Sequence, residues 1–434
     1  MKYRLIITFL LALSTYAGAQ ENGNNCITYD VDNFWDAYDK IKTTQDSVQQ
    51  YEYINSLFIE KGSAGLKAIM KARRYTPASY VNAINNYPLF WASVRENTYK
   101  AKDFAKQIEI EINNFKTIYP DLKPATIYFT IGALKTNGTT LDGVVLIGSE
   151  LALADENTVS DEFPNTLGHL KTYFSSNPIK DVVFLNVHEY VHTQQKTTVG
   201  TNLLSQCLIE GVAEFIAEKV TGKSSITPAV TYGKNNNRKV KERFVKEMFS
   251  RHYYNWLWND TNNDFKIRDL GYYVGYAIAE HYYDMAADKK QAIREMITLE
   301  YDNAGALESF VNRSGYFGTP VQKLKAAYEN GRPEVSAIAP FKNGAENVSS
   351  TIRQVTITFS TKMDTRFRGF DYGPLGESGL LRVNKFIGFS DDGKSAMIEV
   401  ALKQNQKYQV LITDNFRSAE GIPLKPYLIE FKTE

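Results

Sequence analysis

The stretch Val182-Val183-Phe184-Leu185-Asn186-Val187-His188-Glu189-Tyr190-Val191-His192 fixes the reading of the middle of the chain. It is apolar at most positions and carries neither Gly nor Pro, so it reads as a helix entering from a buried segment, over residues 182–195. His188 and His192 stand at i and i+4, which puts them on one face about one turn apart. Two imidazoles so placed reach a single Zn2+ at ~2.1 Å each. Glu189 lies one step round the helix, beside the open position of such a metal, where a general base for an attacking water belongs. The chain holds only five histidines, at 169, 188, 192, 252 and 281. In so His-poor a sequence the H-E-x-x-H spacing arises by chance in well under about one chain in a hundred.

Two imidazoles are not a catalytic zinc site, and a third ligand is required. Eighteen residues after His192 stands Glu210, within Leu208-Ile-Glu-Gly-Val-Ala-Glu-Phe215. Glu210 and Glu214 are again i and i+4, on a helix expected over 202–220. Packed against the first helix, it brings Glu210 to the metal and leaves Glu214 behind a histidine. The set His188, His192 and Glu210 with an open fourth position is what zinc-assisted hydrolysis needs.

H-E-x-x-H followed by E-G-x-A-E resembles the gluzincin metallopeptidases. It resembles more closely still a family of predicted zinc-dependent proteases known as DUF2268, in which a Gly-Tyr-rich helix follows the glutamate motif, here Gly271-Tyr-Tyr-Val-Gly-Tyr276. The likeness covers roughly residues 100–300 and is strongest over 183–216. It implies His188, His192 and Glu210 as zinc ligands, Glu189 as base and Glu214 as the carboxylate behind a ligand. The Gly-x-Met-Glu-Asn motif of the M1 aminopeptidases is absent, which favours an endopeptidase. Val144 to Gly148 is the expected edge strand for pairing with substrate backbone.

Peptide hydrolysis needs a donor for the developing oxyanion. Tyr272, Tyr273, Tyr276 and His281 are the candidates, with Tyr273 preferred; Gly271 and Gly275 would let their helix approach closely. A Tyr-rich helix also serves plain amphipathic packing, and the chain has 28 tyrosines. Asp260-Thr-Asn-Asn-Asp264 has the opening of an EF-hand loop, but Phe265 replaces the required Gly and Gly271 the required Glu. His169 and His252 lack metal spacing and read as structural. No nucleophile elbow or phosphate-cradling glycine loop is present in the sequence.

Upstream, residues 30–120 carry apolar positions at helical spacing (Phe34, Tyr38, Ile41; Tyr51, Ile54, Leu57, Phe58), punctuated by Gly62, Pro77 and Pro88. The period then changes. Thr126–Ile131 and Gly143–Gly148 read as strands of a small sheet, with Asn137-Gly138 as a hairpin-type turn between them. Helices are expected again over 238–257 and 271–299. Beyond Gly331-Arg332-Pro333 the pattern is all β: Val355–Phe359, Ala396–Val400, Tyr408–Ile412 and Tyr427–Phe431 alternate at period two, with turn signals at Asn343-Gly344, Asp392-Gly393 and Glu420-Gly421. This segment resembles bacterial Ig-like domains of the SbsA type, through Pro340-Phe-Lys-Asn-Gly344, Ile357–Asp364, Gly421-Ile-Pro-Leu424 and Phe431-Lys-Thr433. The resemblance implies a spacer or binding module without catalysis.

The amino terminus reads as a signal peptide: Lys2 and Arg4, an apolar run from Leu5 to Leu13, and Ala17-Gly18-Ala19 before Gln20. Export to the periplasm, cell surface or medium is therefore expected. Cys26 and Cys207 are the two cysteines; an exported chain could pair them, or Cys207 could be a buried free thiol on an apolar helix face. With 50 basic against 49 acidic residues, a net charge of +1 calls for neither nucleic acid nor an anionic membrane as partner. The expected organisation is a multidomain chain. A signal peptide (1–19) precedes a helical region (20–120) and a gluzincin-like domain, mainly α with a small sheet (121–330); an all-β Ig-like sandwich (333–434) follows. The expected activity is hydrolysis of a peptide or protein substrate with Zn2+ as cofactor. The competing reading is a non-catalytic binding protein on the same scaffold.

Overall fold

The computed structural model describes residues 25–434, so the segment expected to be a signal peptide (1–19) lies outside the described residues. Strand β1 (Cys26–Ile27) leads into α1 (Tyr29–Ile41), α2 (Ser47–Tyr53), α3 (Ala64–Arg73), α4 (Pro77–Asn86), α5 (Pro88–Tyr99) and α6 (Ala101–Ile118). Strands β2 (Ile127–Thr130), β3 (Gly138–Leu141) and β4 (Val144–Gly148) follow, then α7 (Ser149–Ala152), α8 (His169–Ser175), α9 (Val182–His192) and α10 (Leu203–Thr221). The helices α11 (Pro228–Asn235), α12 (Asn237–Phe244), α13 (Leu270–Met285), α14 (Lys289–Ile297), α15 (Ala304–Ser314) and α16 (Val321–Gly331) complete the helical part. The rest is strand: β5 (Val335–Ala339), β6 (Gln354–Phe359), β7 (Phe370–Asp371), β8 (Lys385–Phe389), β9 (Ser395–Glu399), β10 (Lys407–Ile412) and β11 (Tyr427–Lys432).

The chain forms two compact units. Of the described residues, the first comprises 25–197, Val212–Ile226 and Asp288–Leu299; the second comprises Thr198–Gly211, Thr227–Ala287 and Glu300–Glu434. Helix α10 is continuous and contributes to both.

In the first unit the helix boundaries follow the local chemistry. Pro77 and Pro88 are the first residues of α4 and α5, where a missing N–H costs nothing. Asp46, Ser63 and Thr76 cap α2, α3 and α4, the last in a reciprocal capping box with Ser79. Helix α1 buries Val31, Phe34, Trp35, Tyr38 and Ile41, the stripe that a 3.6-residue period dictates. Their partners include Phe58 and Trp91, whose rings lie 5.4 and 4.8 Å from Phe34. The sheet has the order β1-β2-β4-β3, with β1, β2 and β4 parallel and β3 antiparallel to β4.

That order corrects two expectations. The β3–β4 hairpin turns at Asp142-Gly143, both in the left-handed region (φ 49° and 79°), the signature of a type I′ turn. Asn137-Gly138 instead stands at the entry to β3, where Gly138 pairs with Ile147. Strand β4 is internal, hydrogen-bonded on both sides, so it cannot pair with a substrate; the edge strands are β1 and β3.

In the second unit, glycine contacts hold α13 to the first half of α10. A Cβ at Gly275 would lie 1.8 Å from the Cys207 carbonyl oxygen, and one at Gly211 would lie 2.1 Å from the Tyr276 nitrogen. Side chains would keep these backbones apart. The expected helix over 238–257 ends at Phe244. There the chain turns Glu247 inward to Arg243 (2.5 Å) and to the Trp256 indole N–H (3.1 Å), and the following Asn side chains bond the backbone in place of helical partners. The expected span 271–299 divides into α13 and α14, the latter capped by Asp288 and part of the first unit.

The strands after Pro333 form two antiparallel sheets, β5-β6-β9-β8 and β11-β10-β7. Their inward residues, among them Val355, Ile357, Ile398, Val410, Ile412, Ile429 and Phe431, make one shared core. This strand-rich part is clamped onto the segment between α12 and α13. Arg366 pairs with Asp264 (3.0 Å), Lys246 with Glu420 (2.7 Å), and the His252 ring N–H donates to the Asp414 carbonyl (2.8 Å). Arg332, at the break, donates to the Pro423 and Leu424 carbonyls (3.2 and 2.5 Å). Cys26 and Cys207 are both buried free thiols.

Candidate metal centre

Helix α9 is buried along most of its length, through Val182, Val183, Phe184, Val187, Tyr190 and Val191. The Tyr190 hydroxyl accepts from the Ala125 N–H (3.0 Å) and so fixes the rotation of the helix about its axis. That rotation aims both histidines to one side. Their rings stand edge to face at 4.8 Å, and their Nε2 atoms are 3.1 Å apart. Ligands at ~2.1 Å from a tetrahedral zinc lie about 3.4 Å from each other, so this spacing suits one shared ion.

The other nitrogen of each ring is engaged. His188 Nδ1 lies 2.9 Å from Glu214 Oε2, both groups buried, and His192 Nδ1 lies 2.6 Å from Gln195 Oε1. Contacts of this kind favour the tautomer with Nε2 bare and available to a metal. Glu214 is itself held, because the Ser225 hydroxyl donates to its second oxygen. Glu210 stands one turn before Glu214 on the same continuous helix. One nitrogen each from His188 and His192 and one carboxylate oxygen of Glu210 all lie within 4.8 Å of one another. Two neutral nitrogens and one carboxylate oxygen form a donor set that fits zinc.

Glu189 is half-buried, and the Thr140 hydroxyl on β3 donates to its Oε2. Thr140, Gln195 and Ser225 thus contact Glu189, His192 and Glu214, and none of the three is among the residues the sequence motifs single out. Gln195 had a local signal, three residues beyond His192 in the turn that follows α9. Thr140 and Ser225 are brought in by the fold from distant positions.

Residues 168–304 match the family model "Predicted Zn-dependent protease (DUF2268)".

The matched span includes α9, α10 and α13, and so all three donor residues. No curated protein sequence matches the chain. Among solved structures, the S-layer protein rSbsC(31-844) and the surface layer protein SbsC, domains 1–6, are 11% and 12% identical to it. They align over 93% of this chain and 45% of each of theirs, so this chain spans less than half their length. The TM-scores of 0.18 and 0.17 are too low for a common fold to be read from them.

The remaining site candidates lie in the second unit. Tyr273 is buried; its ring fills the space a side chain at Gly233 would take, and its hydroxyl is hydrogen-bonded to Tyr316. Burial pushes its hydroxyl pKa up to about 12, so it is a proton donor across the physiological range. Tyr276 accepts from Lys234 (2.9 Å) and donates to Glu280 (3.1 Å). His281 packs edge to face on Tyr316. No described helix is long and apolar enough to cross a membrane.

Proposed function

We propose that this chain is an exported zinc-dependent peptidase, an endopeptidase of the gluzincin kind, followed by an Ig-like module. The observation that carries the reading is the donor set: two Nε2 atoms 3.1 Å apart with a Glu210 oxygen within 4.8 Å. The family match over 168–304 supports it. In this reading His188, His192 and Glu210 hold the metal, with Glu214 and Gln195 fixing the two rings. A bound zinc ion supplies Lewis-acid polarisation of the scissile carbonyl and makes water a nucleophile near neutral pH. Glu189 takes the proton of the attacking water at its carboxylate and returns it to the leaving amine. Thr140, bonded to one Glu189 oxygen, leaves the other for that proton. Tyr273 is the donor assigned to the oxyanion, on the sequence argument that its glycine-bearing helix permits a close approach.

The test is a peptide-library cleavage profile of the full chain beside its Glu189→Gln variant, with zinc content measured on both. Cleavage by the parent chain, and zinc retained without cleavage in the variant, is the expected result. Full activity in Glu189→Gln would remove Glu189 as the base. Zinc binding with no cleavage by the parent chain would favour a non-catalytic binding protein on this scaffold.

A further inference from the structure

Residues 245–269, between α12 and α13, contain no helix or strand. Loops of that length are uncommon in compact folds, and those that are ordered are usually functional. This one is ordered by its own polar side chains. The Trp258 N–H donates to Asp269 Oδ1 and the Asp269 N–H to Asn259 Oδ1, each at 2.7 Å. The Asn259 amide donates in turn to the Tyr254 carbonyl (2.8 Å).

What this scaffold presents is an indole. Trp258 is 59% exposed, and its backbone is left-handed with φ 53°, a conformation that bulky side chains rarely adopt. Local strain of this kind persists only where the surroundings over-determine it, and it concentrates at ligand sites. Trp258 stands edge to face with Tyr253 at 5.1 Å, and with Tyr254 they line a pocket of about 470 Å3 whose lining also includes Asp260 and Asn262. That volume falls within the usual ~300–1,000 Å3 of small-ligand sites.

The chemistry of the pocket follows from which groups are already used. The Tyr253 hydroxyl donates to the Thr201 carbonyl and the Tyr254 hydroxyl to the Asn262 carbonyl, so both rings offer faces and not hydroxyls. Asp260 spends Oδ1 on the Asn262 N–H. The indole N–H, the Asn262 side-chain amide and Asp260 Oδ2 have no protein partner among the described residues. The ligand must therefore offer a flat apolar face, acceptors for two donors, and a donor for one carboxylate oxygen. A quaternary ammonium suits aromatic faces and a carboxylate but leaves both donors unmet. A pyranose ring meets all three demands, with C–H groups on one face and hydroxyls that donate and accept. The free carboxylate disfavours acidic sugars.

We propose that this pocket is a saccharide-binding site for a pyranose unit of a neutral glycan, with Trp258 as the stacking platform and Asp260 and Asn262 reading the hydroxyls. It is independent of the peptidase reading.

The experiment applies the full chain to an array of neutral oligosaccharides and follows the strongest binder by titration calorimetry. Saturable binding is expected, at least about tenfold weaker in Trp258→Ala and largely kept in Trp258→Phe, with zinc content unchanged. Should Trp258→Ala not fold, Asp260→Asn must show the loss instead. No binding on the array, equal binding by the folded Trp258→Ala variant, or equal competition by tetramethylammonium chloride would overturn the assignment.

Discussion

The hydroxyl of Thr140 on β3 donates a hydrogen bond to the carboxylate of Glu189 on α9. The edge of the small sheet thereby touches the residue assigned as the base, and Thr140 acts through Glu189 as a positioning residue. Replacing Thr140 by Val removes the bond at nearly constant volume. We expect kcat to fall about tenfold or more with KM little changed and zinc content intact, and Thr140→Ser to restore most of the rate. Steady-state kinetics on the three proteins checks this. A change confined to KM would mean that Thr140 serves substrate binding and not the base.

Gly275 has the Cys207 carbonyl where a Cβ would go, at 1.8 Å. An alanine gains up to about 1 kcal/mol of helix propensity, but overpacking costs roughly 1–3 kcal/mol, and a backbone atom cannot step aside as a side chain can. Gly275→Ala is therefore expected to destabilise the second unit. Because Cys207 and Glu210 share a helix, zinc affinity should fall as well. Thermal unfolding and zinc titration of this variant beside Gly305→Ala, whose nearest non-neighbouring atom is 3.4 Å away, separate the contact from the general effect of a methyl group.

Glu150 is fully buried and accepts from the Gly132 and Leu134 N–H groups (2.8 and 3.2 Å). Burial outweighs those bonds and raises its pKa from an ordinary 4.5 to about 7. A carboxyl raised on folding favours the protonated native state. Its contribution is fully present below the unfolded value and is lost as pH rises through the folded one. Stability against urea is therefore expected to decline between about pH 4.5 and about pH 7 from this group, and Glu150→Gln should flatten the decline. An unchanged pH profile in the variant would assign the dependence elsewhere.

That His188, His192 and Glu210 come together was legible because the signals are local. H-E-x-x-H and E-G-x-A-E each repeat at i, i+4, and a helix converts that spacing into a shared face without help from the rest of the fold. The strands over Val355–Phe359 and Tyr408–Ile412 were legible for the same reason, with a period of two. Thr140 and Ser225 were not legible, since only tertiary packing brings them to Glu189 and Glu214. Asn137-Gly138 and Asp142-Gly143 are equally good turn signals, and the pairing of Gly138 with Ile147 selects the second. Strand β8 has Gly388 at an irregularity in its pairing with β9, which spoils the alternation that would have revealed it. The helix ending at Phe244 depended on Glu247 finding Arg243 and Trp256, a burial that no periodicity foretells.

The central claim is that His188, His192 and Glu210 together hold one zinc ion. Zinc per chain, measured by elemental analysis after dialysis of the full-length protein and of its Glu210→Gln variant, tests it most directly. The account predicts about one zinc per chain in the parent protein and a large loss in the variant, with the fold retained by circular dichroism. A parent chain that takes up no zinc, or a variant that holds it as tightly, would contradict the account.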